Sequence, residues 1–294
     1  DHVKVVDAYP PLDALGLILE TRCSNGGGPY NLLKDLAIMG ANFPLYGIGL
    51  VGDDENGRFI LHDCRKHDID TRLLATHPEC STSYTDVISE EVSGRRSFFH
   101  HKGANSFLNE GNFDFSAVDA ALFHLAYLNL LGSLDKVGDD GETGGTRVLR
   151  EAVEAGLHTS ADLVSFPTSD FSETVRPSLP YVNTLFLNEL EASWLTGIDL
   201  ATDKPIRSSN AKEILTSILA MGVREHVVLH YAEAVVTLDA KGEFFLQGSV
   251  RVPESDIAGT AGAGDAFAAG YLYGVHEGRS ISRCLELGVC VAAS

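Results

Sequence analysis

Long apolar runs are missing from this sequence. No stretch of about eighteen consecutive apolar residues occurs, so no segment is expected to span a bilayer. No basic n-region followed by an apolar stretch stands near the start, so no secretory signal is visible in the residues given, and a cytoplasmic setting is the expectation. A signal upstream of Asp1 would not be seen. Basic residues are scarce: 22 Lys and Arg against 41 Asp and Glu give a formal net charge of −19. Such a surface repels phosphate backbones, which argues against a nucleic-acid partner. It leaves room for a nucleotide ligand, because backbone N–H groups at a helix N-terminus can build a phosphate site. The five cysteines (Cys23, Cys64, Cys80, Cys284 and Cys290) are odd in number and scattered, with no C-x-x-C pair. Reduced thiols fit this pattern, and a zinc site does not.

What is present is a chain of 294 residues with 44% hydrophobic content, enough to bury the core of one large α/β domain. Apolar runs alternate with helical patterns. Pro29 to Met39 reads as a helix, with Pro29 in its first turn and Leu32, Leu33 and Leu36 at helical spacing. Pro44 to Val51 reads as a buried strand. Asn56 to His67 reads as a helix with Phe59, Ile60 and Cys64 facing inward. Thr184 to Leu187 and His226 to His230 are expected strands. Glu189 to Leu195, Ala211 to Met221, Asp265 to His276 and Ile281 to Val291 are expected helices. This β-then-α order implies a three-layer α/β/α sandwich around a mainly parallel sheet. Thr82 to Ser89 and Arg95 to His101 are β-like runs joined across Ser93-Gly94, a hairpin signal. With the partly β-like Val5 to Glu20, they are expected to form a small β lid on the single domain, approximately residues 5–24 and 82–101. The carboxylates of the acidic loop Gly138 to Gly145 lack the positions of a calcium loop, so a solvated loop is expected there. His100 and His101 point to opposite faces of a strand, which excludes a shared metal.

The strongest chemical signal is Gly259-Thr260-Ala261-Gly262-Ala263-Gly264-Asp265-Ala266-Phe267. Small residues let a backbone approach an anion closely. The helix that follows aims its free N–H groups and positive dipole end at the same place. A carboxylate in that first turn suits phosphoryl transfer, where catalysis is mostly positioning and charge stabilisation. The run also gives a partial G-x-G-x-x-[GA] match. That fingerprint belongs after the first strand of a βαβ unit, whereas this run lies near the C-terminal end. Close helix packing would also call for small residues, but it leaves the carboxylate unexplained.

Here the sequence resembles the ribokinase-like (PfkB) carbohydrate kinases, whose C-terminal signature D-T-x-G-A-G-D-x-F is matched at Thr260, Gly262 to Asp265 and Phe267. The resemblance implies that Asp265 is the general base and that the amides of Gly262, Ala263 and Gly264 form an anion hole. It extends along the chain. Gly26-Gly27-Gly28-Pro29-Tyr30-Asn31 is similar to the family's G-G-x-x-x-N motif, which implies that Gly27 and Asn31 contact the sugar. Asp1, with Tyr9-Pro10 downstream, resembles the opening D-x-x-x…P segment, which implies a carboxylate that accepts from sugar hydroxyls and a first strand largely absent from the residues given. Gly49-x-Val51-Gly52-x-Asp54-x-x-Gly57 matches a family signature read as a structural strand-to-helix turn. Asn188-Glu189-Leu190-Glu191 matches N-x-x-E, whose Glu is implied to support a magnesium–water network and whose Asn is implied to lie near the phosphates. Gly103-Ala104-Asn105 resembles a lid segment and nominates Asn105 for substrate. His230-Tyr231-Ala232-Glu233-Ala234 replaces a glycine-containing loop that lines the nucleotide site, which nominates His230 there.

The resemblance implies an ATP-dependent kinase that phosphorylates a hydroxyl of a sugar or sugar-like molecule, with Mg²⁺ as cofactor. Two or three lid strands with one apolar face are marginal alone, so the lid is expected to pair with a second copy in a homodimer or to sit as a mobile flap. A nucleoside kinase of the same fold, or a silent sugar- or nucleotide-binding regulator, is the alternative. Gly259 stands where many members carry Asp and Ala261 where Thr or Asn is usual. Gly259 has no carboxylate to offer a monovalent cation, so little dependence on potassium is expected.

Overall fold

In a computed structural model of the chain, residues 1–166, 168–200, 208–253 and 262–294 are described. Four strands run parallel: β7 (Leu122–Leu128), β8 (His158–Leu163), β9 (Thr184–Asn188) and β10 (His226–Tyr231). β11 (Ala234–Asp239) and β12 (Phe244–Gly248) continue the sheet antiparallel, in the order β12-β11-β10-β9-β8-β7. The two central strands read as unbroken apolar runs because both of their faces are covered. Leu185 and Leu187 face one layer while Phe186 between them faces the other, and Val227 and Leu229 alternate with Val228 in the same way.

The first layer includes α3 (Gly144–Glu154), α4 (Phe171–Val175), α5 (Glu189–Thr196) and α6 (Ser208–Ala220), and brings Val148, Leu149, Ile214 and Leu215 to the core. The second contains α1 (Gly28–Ile38), α2 (Glu55–Lys66), α7 (Ala263–His276) and α8 (Ile281–Ala292), with Leu32, Leu36, Phe267, Tyr271 and Leu285 buried. The small residues of α7 serve packing at its middle: a Cβ on Gly270 would fall 2.6 Å from the carbonyl oxygen of Leu287 in α8. Part of the glycine-rich signal is therefore helix packing. On α2 the inward face is carried by Gly57 and Cys64, and Phe59, expected inside, is 43% exposed.

The three-layer α/β/α class holds, but the sheet is divided. β3 (Leu45–Gly52) and β4 (Ile69–His77) form a separate parallel pair. Among the described residues β3 pairs only with β4, and β7 only with β8. An apolar cavity of about 910 Å³ lies between them, bordered by Leu45 and Val51 on one side and Phe123 and Leu125 on the other.

The lid is a four-stranded sheet in the order β2-β1-β5-β6, built from β1 (His2–Val6), β2 (Ile18–Cys23), β5 (Tyr84–Glu90) and β6 (Arg96–His101). The stretch from Val5 to Glu20 is not one strand: β1 ends at Val6 and β2 starts at Ile18. Pro10 and Pro11 lie between them, where the missing N–H groups cannot continue a ladder. Phe98 and Phe99 are 59% and 63% exposed, so neither face of the outer strand β6 is covered. The acidic loop is exposed over residues 136–141, as expected, and carries ion pairs from α3: Asp140 with Arg147, and Glu142 with Arg150 at 2.7 Å. No described helix is long and apolar enough to cross a membrane.

The lid is fastened to the main body by Asp54, at the N-cap of α2. Its carboxylate accepts from Gly57 N at 2.8 Å, from Thr82 N at 2.8 Å and from Thr82 Oγ1 at 2.6 Å. Thr82 Oγ1 also receives Gly52 N at 2.9 Å, so the end of β3, the start of α2 and the entry to β5 meet at one threonine. Burial would raise the Asp54 carboxyl, but the bonds from Thr82 and Gly57 outweigh it and hold its pKa below the ordinary carboxylate range. Asp54→Ala should cost about 1–3 kcal/mol in urea unfolding, the sum of a lost cap and orphaned buried donors. A carboxyl depressed in the folded state stabilises above its unfolded pKa of about 3.9, and that contribution is lost as pH falls through the folded value. The wild-type advantage over Asp54→Ala should therefore be full at neutral pH and shrink in acid.

Candidate active site

The glycine-rich segment enters α7 through Gly262, whose φ of 85° and ψ of −3° lie in the left-handed region that favours glycine. The chain turns there directly into a 14-residue helix. The first-turn N–H groups of that helix, including those of Ala263 and Gly264, have no partner within it and carry its positive dipole end. Gly259, Thr260 and Ala261 lie outside the described residues.

Asp265 stands in this first turn and is 5% exposed. Two side chains from distant parts of the sequence hold its carboxylate: Asn31 Nδ2 donates to Oδ2 at 2.8 Å, and the Tyr127 hydroxyl donates to Oδ1 at 2.7 Å. Asn31 is on the first turns of α1 and Tyr127 near the end of β7. Burial raises the pKa of Asp265 above the ordinary carboxylate range, while the bonds from Asn31 and Tyr127 pull the other way. The result is a desolvated carboxylate of enhanced basicity, fixed in orientation at a helix N-terminus.

On the acceptor side, Asp1, Gly27, Asn105 and Tyr127 line one cavity. The α-amino group of Asp1 donates to Ser24 O at 2.7 Å, and its carboxylate lies against Gly26, where a Cβ would fall 2.2 Å from Oδ2. Gly27 caps α1 with a φ of 89°, and its carbonyl accepts from Asn31 N at 2.9 Å. Asn105 follows the lid strands and donates through Nδ2 to Ser83 Oγ at 2.8 Å. This is the cavity between β3 and β7; Asn31 and Asp265 do not line it, and the links to Asp265 are Tyr127, which borders it, and Asn31, whose N–H donates to Gly27 O.

Asn188 and Glu191 form a capping box at the start of α5. Asn188 Oδ1 accepts from Leu190 N and Glu191 N, and Glu191 Oε2 accepts from Asn188 N at 2.9 Å. Ser165 Oγ donates to Glu191 Oε1 at 2.8 Å. The cap accounts for the local pattern, yet it leaves a carboxyl 2% exposed, and burial raises its pKa. His230 does not lie in an open loop. It is the penultimate residue of β10, opposite Val235, with Tyr231 opposite Ala234 in a tight hairpin. Its Cε1 lies 3.5 Å from where a Cβ on Gly264 would stand, and its ring packs on Phe267 with centroids 6.1 Å apart. Burial pulls its pKa down to about 4, so it faces the start of α7 as a neutral ring.

Two residues escaped the sequence reading. Tyr127 sits in an apolar strand with nothing local to mark it. Asp162, at the buried end of β8, is 5% exposed; burial pushes its pKa well up, and Glu191 and Asp265 add to the effect. A lone carboxylate in the apolar run Ala161-Asp162-Leu163-Val164 was the available signal. Among the described residues no group of three His, Cys, Asp or Glu side chains could ligate a metal ion. A phosphate-bound Mg²⁺ needs no such cage, because it keeps most of its waters. Asp162 and Glu191, buried and in no ion pair among the described residues, are the carboxylates that would be available to hydrogen-bond its waters.

A family model described as "pfkB family carbohydrate kinase" matches residues 5–294. An uncharacterized sugar kinase of Archaeoglobus fulgidus is 26% identical over 253 residues, covering 84% of this chain and 88% of the relative. An adenosine kinase of Saccharomyces cerevisiae is 25% identical over 288 residues, covering 96% and 80%. Among solved structures, ribokinase of Arabidopsis thaliana, complexed with ribose and ATP, superposes with a TM-score of 0.74 at 18% identity over 99% of this chain and 88% of that one. Ribokinase from Giardia lamblia gives 0.78 at 18% over 99% and 87%. The structural likenesses establish the ribokinase-like fold, and the family match spans nearly the whole sequence. The chain belongs to the pfkB family of carbohydrate kinases.

Proposed function

We propose that this protein transfers the γ-phosphoryl group of ATP to a hydroxyl of a sugar-like acceptor, with Asp265 as the general base. The observation that carries this reading is the position of Asp265: buried, in the first turn of α7, with its carboxylate bonded to Asn31 from the acceptor side. The acceptor hydroxyl gives its proton to Asp265 as its oxygen bonds to the γ-phosphorus. The bond from that phosphorus to the bridging oxygen breaks, and ADP leaves with the electron pair. The amides of Gly262, Ala263 and Gly264 face the charge that develops on the transferred group. Asp1, Gly27, Asn31 and Asn105 orient the acceptor. Asn188, Glu191 and His230 flank the nucleotide side, and bound Mg²⁺ would neutralise phosphate charge there. ATP use and five unpaired thiols fit a cytoplasmic enzyme. Sugar kinases and a nucleoside kinase both occur among the relatives, so a nucleoside acceptor is the alternative within the same mechanism.

Asp265→Asn keeps the shape of the site and removes the proton acceptor. It should lower kcat by roughly 10²–10⁴ while calorimetry shows ATP binding intact. Near-normal turnover would remove Asp265 from the role of base. In the wild type, the acid limb of kcat/KM should lie above the ordinary carboxylate range, because activity is lost as the raised Asp265 carboxyl takes up a proton.

We also propose that a second copy of this chain covers the lid. Ile18, Phe98 and Phe99 are 56%, 59% and 63% exposed on its outer strands. Sedimentation should show a dimer that Phe98→Ser weakens; a monomer at all concentrations would leave the lid as an unpaired flap.

A further inference from the structure

We propose that Tyr127 is a positioning residue for the phosphoryl-transfer reaction, one that fixes the orientation and tunes the basicity of the Asp265 carboxylate. The proposal rests on the reading of Asp265 as the base. Asn31 holds Oδ2 from α1 and Tyr127 holds Oδ1 from β7, so the carboxylate is clamped from two independent elements. Each carboxylate oxygen offers two lone-pair sites. The two donors occupy one on each, which leaves one on each for the acceptor O–H. Rotation of the carboxyl about its Cβ–Cγ bond would break both bonds, so the free lone pairs keep one direction.

The ring of Tyr127 is itself fixed. A Cβ on Gly28 would fall 2.7–2.9 Å from its Cζ, Cε1 and hydroxyl, so the absence of a side chain at Gly28 makes the space in which the phenol reaches Asp265. Tyr127 also borders the cavity shared with Asp1, Gly27 and Asn105, and its hydroxyl reaches from there to Asp265, which does not line that cavity. Burial, reinforced by the Asp265 carboxylate, drives the phenol far above its ordinary range, so it remains a donor at every working pH. The charged or titratable groups around Asp265 and Tyr127 are Asp35 on α1, Asp162 on β8, Glu191 on α5 and His230 beside Gly264. The Asp265 charge raises the pKa of Asp35 and of Asp162, Glu191 acts on Tyr127, and His230 is neutral, held down by burial to about 4. Among the described side chains, Asn31 and Tyr127 are the groups that favour the carboxylate form.

The test reads Asp265 directly, without turnover. The ¹³C carboxyl resonance of Asp265, assigned by its loss in Asp265→Asn, is titrated in the wild type and in Tyr127→Phe, which keeps the ring and removes the donor. The midpoint should rise by about one pH unit when the donor is lost. The acid limb of kcat/KM should move with it, and kcat above that limb should fall about tenfold as the carboxylate loses its orientation. Fluorotyrosine placed at position 127 alone is a stronger donor of nearly the same shape and should move both midpoints downward. A purely structural role would not produce opposite shifts from the two replacements. An unchanged Asp265 titration in Tyr127→Phe, or, if that variant does not fold, in the fluorotyrosine protein, would overturn the proposal. Absence of transfer by the wild type to every sugar and nucleoside would instead overturn the function beneath it. The two failures are told apart because the carboxyl titration requires no substrate.

Discussion

The bond between Asn31 and Asp265 joins residues 234 positions apart in sequence and holds the proposed chemistry together. One partner rides on α1, whose cap at Gly27 borders the cavity lined by Asp1 and Asn105. The other rides on α7, whose N-terminus presents free amides. The packing of these helices in one layer, through Leu32 and Leu36 on one and Phe267 and Tyr271 on the other, sets the distance between them. A buried carboxylate is costly unless hydrogen-bonded. The same two bonds that make Asp265 tolerable in the folded protein also aim it.

The carboxyls around this point share a physical condition. Asp162, Glu191 and Asp265 are each at most 5% exposed, and burial raises the pKa of all three. No described Lys or Arg forms an ion pair with any of them. Hydrogen bonds hold Asp265 and Glu191 in place of ion pairs, and perturbed carboxyls of this kind gather at functional sites. On the proposed function, a magnesium–nucleotide complex would bring a divalent cation to the positive end of α7, and its binding would offset part of that burial cost. The acidic surface, at a net charge of −19, keeps phosphate recognition confined to such built sites.

Much of this was legible in the sequence because the relevant signals are local. The helix at α7 and its glycine-rich entry could be read from spacing, since a left-handed turn before a helix calls for glycine, and Gly262 adopts it. The unbroken apolar runs of β9 and β10 announced strands covered on both faces. Contacts that cross the chain were not legible. Tyr127 looks like one more apolar residue of β7, and only the tertiary fold brings its hydroxyl to Asp265. His230 was assigned from a loop that proves to be a tight hairpin, and the neutrality of its ring comes from burial against α7. The division of the sheet between β3 and β7 left no trace in local pattern either, because each strand alone satisfies the rules for a buried parallel strand. Phe59 failed for a related reason: helical spacing nominates a face, while neighbouring layers decide how much of it is covered.

The central claim is that Asn31 and Asp265 act as one unit. A double-mutant cycle on kcat/KM for phosphoryl transfer, using Asn31→Ala, Asp265→Asn and their combination, measures that coupling directly. The account predicts strong non-additivity, with the double variant little slower than Asp265→Asn alone, because Asn31 has no base left to orient. Losses that simply multiply would show the two residues working independently and would contradict it.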